Sequence, residues 1–336
     1  MRKSTIAAIA AAAVVGFGAV GSASAGVEIS GFGDVQYNAA DIGNDGYSAD
    51  GQEGNFRASG EIDLRQVDGG GPEIGIDLDV LDIFNTTPQT DIPSGTNGGL
   101  GVDVEQFYVK VPVNDMVSVT AGAWDSIFGY ESQDANMRNH PGAGLLWQSV
   151  PSVMIGGLVS VAPTDMVNVN VAYINGRSDA TGLASENVND VAASVAVTPM
   201  DGLGINLAYL TDNGTTGGTD ALWGDSFDIF VTADMVENLS LAAEYLSGDP
   251  ASGGGALDNG YGVHAAYDAG VVTVAVRYES ASYDTTNDVT ETSGSVSHQL
   301  AQGTVVRLDW TNTDVDNGAS SDIATIQLVH DFDHAM

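Results

Sequence analysis

The sequence predicts an all-β fold, a transmembrane antiparallel β-barrel of about sixteen strands. Three observations predict it: apolar and polar residues alternate with a period of two, an aromatic ring recurs at one end of every second segment, and connections are short and long in turn. Strict alternation is the pattern of a strand with one apolar face, because successive side chains point to opposite sides.

The N-terminal segment looks like an export signal. Arg2 and Lys3 precede an uncharged run over residues 6–20, and Ala23-Ser24-Ala25 supplies the small residues a signal peptidase reads, so residues 1–25 are predicted to be a cleaved signal peptide and 26–336 one barrel domain. The run is shorter than the ~20 residues of a membrane-spanning helix and is interrupted by Gly16 and Gly18. No later segment has eighteen consecutive apolar residues. Membrane residence therefore requires a closed barrel.

Composition narrows the function classes. The 336 residues include 9 basic and 45 acidic side chains, a formal charge of −36. That repels phosphate backbones, so no nucleic-acid partner is expected. The absence of cysteine excludes a disulfide framework, thiolate metal sites and a cysteine nucleophile.

Taken in order, alternation predicts strands near 27–37, 55–66, 73–84, 102–113, 117–126 and 152–162, with short turns at 68–72 and 112–115. Ten more follow. Val167-Asn-Val-Asn-Val-Ala-Tyr173, Leu203-Gly-Ile-Asn-Leu-Ala-Tyr209, Leu239-Ser-Leu-Ala-Ala-Glu-Tyr245, Val272-Thr-Val-Ala-Val-Arg-Tyr278 and Thr304-Val-Val-Arg-Leu-Asp-Trp310 share one pattern. In the first of these, Val167, Val169, Val171 and Tyr173 share one face, and Asn168, Asn170 and Ala172 the other. Short connections near 162–165, 199–202, 234–237, 268–270 and 300–303 alternate with Gly/Asn/Asp/Ser-rich stretches near 175–189, 211–224, 247–259, 280–290 and 312–321. Tight turns at one rim and long loops at the other distinguish membrane barrels. An even strand count puts both termini at the short-turn rim, and about sixteen strands leave an aqueous bore.

On this register Tyr37, Tyr173, Tyr209, Tyr245, Tyr278 and Trp310 end ascending strands facing outward, as an aromatic girdle. Arg57, Arg65, Lys110, Arg277 and Arg307 fall on the inward phase, as do the acids Glu61, Asp63, Asp77, Asp79, Glu244, Glu279 and Asp309. A base facing lipid near the midplane costs about 2–4 kcal/mol, which by itself drives strand bases inward.

Local motifs for chemistry are absent. Asp41-Ile-Gly-Asn-Asp-Gly46 and Asp314-Val-Asp-Asn-Gly318 do not fit the calcium-loop pattern. His140, His264, His298, His330 and His334 have no metal-ligand spacing, and neither a Gly-x-Ser-x-Gly elbow nor a phosphate-binding loop occurs. No enzyme activity, cofactor or metal is expected.

The closing segment Asp322-Ile-Ala-Thr-Ile-Gln-Leu-Val-His-Asp-Phe332 holds Ala324, Ile326, Leu328 and Phe332 in one phase and looks like a barrel-assembly signal. With the signal peptide and long loops, it makes the chain resemble a Gram-negative outer-membrane porin. Ala121-Gly-Ala-Trp-Asp-Ser-Ile-Phe-Gly-Tyr-Glu131, followed by 139–147, is similar to a segment of the OmpL-like porin family. The resemblance implies a passive diffusion channel for ions and small hydrophilic solutes, usually trimeric, in the Gram-negative outer membrane after Sec export. It also implies a third outer loop folded inward as a constriction, near 127–152, carrying Tyr130, Glu131, Asp134, Arg138, His140 and Trp147. The expected arrangement sets some inward bases across the bore from Glu131 and Asp134, as a transverse field. The excess of inward acids predicts modest cation preference. The competing reading is a secreted acidic all-β binding or surface-layer protein, in which Val169, Ile205, Leu241, Val274 and Leu308 pack on a second sheet instead of facing lipid.

Overall fold

A strand between lipid and water must alternate, and its backbone groups need partners on both edges. The chain meets both demands by closing one sheet on itself. The computed structural model describes residues 26–42, 55–67, 71–81, 101–132, 134–179, 182–184, 189–211, 225–248, 257–283, 288–316 and 318–335. The signal segment 1–25 and much of the predicted outer loops lie outside the described residues.

Among the described residues the strands are β1 (Gly26–Ile42), β2 (Asn55–Val67), β3 (Glu73–Leu81), β4 (Gly101–Asn114), β5 (Val117–Asp125), β6 (Val153–Thr164), β7 (Val167–Asp179), β8 (Gly182–Ala184), β9 (Asp190–Met200), β10 (Leu203–Thr211), β11 (Ser226–Val236), β12 (Leu239–Ser247), β13 (Leu257–Asp268), β14 (Val272–Tyr283), β15 (Val289–Ala301), β16 (Thr304–Val315) and β17 (Ala319–Ala335). Three-residue β8 only extends the outer hairpin of β7. The other sixteen each pair antiparallel with two neighbours, and β1 pairs with both β2 and β17, which closes the barrel. Closure removes the second sheet that the competing reading needs.

Tight turns join the strands at one rim. Gly202, Asn238 and Gly303 take positive φ of 76°, 65° and 71°, and the register slips beside each turn, the pattern of a type I turn closed by a left-handed bulge residue, which Gly and Asn adopt most readily. At the opposite rim two predicted loops are shorter than expected. β14 and β15 pair as far as Ala281 with Val289, and β16 and β17 as far as Val315 with Ala319. These Ser/Thr/Asn/Asp-rich stretches lack apolar alternation because they rise into water, yet the backbone ladder needs no apolar side chain to continue.

The outer wall is apolar. Val171, Tyr173, Leu241, Val274, Leu308, Ile326 and Leu328 are exposed on it, while their sequence neighbours point inward. The inner wall is not uniformly polar, as alternation alone suggested. Met154, Leu158, Ala172, Ile174, Ala192, Ala208, Leu210, Leu246 and Ala281 form an inward apolar patch, and Phe128 and Val150 from the β5–β6 connection cover it. A loop that enters the bore needs a core of its own, and burial of this patch supplies it.

Candidate functional site

The β5–β6 connection, residues 126–152, folds into the bore. Its base closes where the Ser126 N–H donates to the Ser152 carbonyl at 2.9 Å. From there a row of contacts ties it to one side of the wall. The Gly129 and Tyr130 N–H groups donate to Asp228 Oδ2 (2.9 Å) and Glu244 Oε1 (3.2 Å). The Leu146 N–H reaches Glu279 Oε2 at 3.3 Å, and His140 Nδ1 lies 2.8 Å from Asp309 Oδ2. Ser295 Oγ donates to the Asn139 carbonyl at 2.8 Å. These partners come from β11, β12, β14, β15 and β16. Three of the inward acids predicted to face the bore, Glu244, Glu279 and Asp309, therefore serve as loop acceptors.

Leu146 is fully buried. It fits because Gly260 and Gly262 on β13 leave open the space it occupies: a Cβ at Gly262 would lie 3.2 Å from Leu146 Cδ1, and one at Gly260 would collide with Cδ2. Tyr130 packs edge-on against His264, with ring centroids 4.7 Å apart.

Two inward bases hold the loop. Arg277, 2 % exposed, donates through Nη1 to Glu131 Oε1 (2.7 Å) and the Gly142 carbonyl (3.0 Å), and through Nη2 to Glu291 Oε1 (2.7 Å). The Gly144 N–H donates to the other Glu131 oxygen at 2.6 Å. Burial opposes charge on Glu131, but the Arg277 guanidinium, His264 and the Gly144 N–H outweigh it and lower its carboxyl below the usual range. Arg307 donates to the Arg138 carbonyl (2.8 Å) and to Gln327 Oε1 (2.5 Å). Gln327 in turn donates to Asp34 Oδ2 at 2.9 Å, and Ser59 Oγ to the other Asp34 oxygen. This belt ties the loop to the seam where β1 meets β17.

The structure thus puts Arg277 in contact with Glu131 rather than across the bore from it. Alternation showed that both bases face inward, but could not show that the loop lies on their side. Arg138 Cζ sits 5.9 Å from the Trp147 ring centroid. Asp134 extends towards the opposite wall and lies against Glu61; burial raises its carboxyl. Arg65 and Lys110 lie on the inward phase near the short-turn rim and are exposed. The Arg57 side chain lies outside the described residues. Tyr173, Tyr209, Tyr245, Tyr278 and Trp310 are exposed on the outer face, and Tyr37 is half-buried on the same outward phase as Val35. The Tyr173 and Tyr209 hydroxyls donate to Asn189 (2.6 Å) and Asp225 (3.0 Å).

The wall facing the loop, β2 to β4, is acidic: Glu61, Asp63, Asp77 and Asp79 alternate inward, and Glu105 joins them. Alternation missed Glu105. Phe107 and Val109 of the same strand face outward, so an unbroken strand would aim Glu105 outward too. A bulge opposite Asp77 and Leu78 makes Glu105 the extra residue of β4 and turns it inward.

A family model described as putative beta-barrel porin-2, OmpL-like, matches residues 75–315. No curated protein matches the chain. Among solved structures, three mutant forms of Rhodopseudomonas blastica porin share its fold at 14 % identity, with TM-scores of 0.57–0.58 over 91 % of this chain and 100 % of theirs.

Proposed function

Because the chain belongs to the OmpL-like putative β-barrel porin-2 family, we propose that this porin passes ions and small hydrophilic solutes down their gradients across the Gram-negative outer membrane, with modest cation preference. One observation carries the reading. The loop over 126–152 docks on the β11–β16 side, and the inward face of β2–β4, which its Asp134 reaches, carries Glu61, Asp63, Asp77, Asp79 and Glu105; in this reading the passage runs beside the half-buried Asp63 and Asp79. Fixed carboxylates in a narrow aqueous bore favour cations electrostatically.

In this reading Glu131 and Arg138 hold and shape the constriction with Arg277 and Arg307, and Asp134 narrows it towards Glu61. Arg65 and Lys110 line the bore near the short-turn rim, and position 57 falls on the same phase of β2 as Arg65. Tyr37, Tyr173, Tyr209, Tyr245, Tyr278 and Trp310 form a belt where hydrocarbon meets the outer headgroups. Residues 1–25 direct Sec export and are removed, and the mature barrel assembles as a homotrimer by analogy with other porins. It acts as a channel and not as an enzyme.

Purified protein in a planar bilayer under a KCl gradient tests the proposal. A conductance with a reversal potential of cation sign is expected. Anion preference would overturn the selectivity, and absence of conductance would overturn the channel.

A further inference from the structure

Most inward carboxylates beneath the loop accept hydrogen bonds; those on the opposite wall differ. Register sets Glu61 beside Asp79 and Asp63 beside Asp77 on adjacent strands β2 and β3. The β4 bulge then delivers Glu105 to the same place. One oxygen each from Glu61, Asp79 and Glu105 lie within 4.8 Å of one another, and so do oxygens of Glu61, Asp63 and Asp77.

Glu61, Asp77 and Glu105 are buried, and Asp63 and Asp79 half-buried. Asp77 is 1 % and Glu105 7 % exposed, and neither oxygen of either side chain has a hydrogen-bond partner among the described residues. Asp63 accepts from Ser30 Oγ at 2.9 Å. The nearest base along the strand, Arg65, is exposed. Carboxylates packed together away from water need a compensating cation or a proton. A cation held among three such oxygens meets that need at either half of the cluster. Oxygens that lie within 4.8 Å of one another are close enough to share one calcium ion at about 2.4 Å each. An all-oxygen set from three flexible side chains also suits a hard ion with adaptable coordination.

We propose that Glu61, Asp63, Asp77, Asp79 and Glu105 form a calcium-type divalent-cation site in the lumen wall, with Glu61 shared between its two halves. The site deepens the channel reading and rests on its aqueous bore, through which the ion enters. Occupancy removes negative charge from the passage, so calcium lowers the cation preference that potassium chloride alone reveals.

The test uses the folded barrel in detergent at pH 7, stripped with chelator and titrated calorimetrically with calcium chloride, alongside bilayer recordings of the same preparation. Saturable binding, a higher melting temperature in calcium and a smaller cation-sign reversal potential are expected. Glu105→Gln and Asp77→Asn should each weaken binding by about tenfold or more, while Asp165→Asn, on an exposed turn, should not. Removing a carboxylate here relieves repulsion, so both variants are expected to fold. A conducting wild-type barrel with neither saturable binding nor a melting shift would overturn the site and leave the channel standing. Binding unchanged in both lumen variants would overturn it too, since the ion would then sit elsewhere. Intact calcium binding without conductance would support the site and overturn the channel.

Discussion

Replacing Arg277 with alanine tests whether charge holds the loop in the bore. The guanidinium bridges Glu131 on the loop and Glu291 on the wall, at 2.7 Å each. Its removal leaves both acids buried without a counter-charge. Breaking a buried pair in this way costs about 3–5 kcal/mol. At about 1.4 kcal/mol per factor of ten, the balance between docked and undocked loop moves by roughly 10² to 10³·⁵. The backbone ladder does not pass through this side chain, so the barrel stays closed. The loop carries its own reporter, because Arg138 is the one trypsin site between residues 126 and 152. Trypsin should cut Arg277→Ala after Arg138 much faster than the wild type, and single-channel recordings should show larger, noisier openings. Adding Glu131→Gln, which removes one stranded charge, should restore part of the protection. Equal cleavage rates and unchanged conductance would refute the strut.

Acid should release the loop late. A carboxyl lowered on folding, as Glu131 is, stabilises the docked state above the ordinary Glu value of about 4.3, and this contribution is lost as pH falls through its lowered value. Conductance should therefore hold from pH 7 to about 5 and rise only below about pH 4; a rise at pH 6 would contradict the assignment. Leu146→Ala empties the seat between Gly260 and Gly262 and should cost the docked loop about 2–5 kcal/mol, seen as faster amide exchange at Gly129 and Tyr130 with strand amides unchanged. Leu308→Arg puts a charge on the exposed outer face and should lower unfolding stability in liposomes by about 2–4 kcal/mol; an unchanged urea midpoint would mean that Leu308 does not meet lipid.

The sequence by itself determined the strands, their outward phase and the place of the long third loop. Alternation at i and i+2 is a local property, and lipid outside and water inside impose it on each strand separately, which is why Val169, Leu241 and Leu308 could be assigned without knowing their neighbours. Only the tertiary structure decided what depends on distant partners. Arg277 and Glu131 are 146 residues apart, and nothing in either segment says that the loop would lie on the side of the bases. The inward direction of Glu105 likewise came from a bulge set by pairing with β3. The carboxylate cluster is spread over three strands, so it matches no linear motif. Where strands rise above the membrane, between 280 and 290 and between 312 and 321, apolar alternation ends before the ladder does, because there pairing is maintained by backbone hydrogen bonds alone.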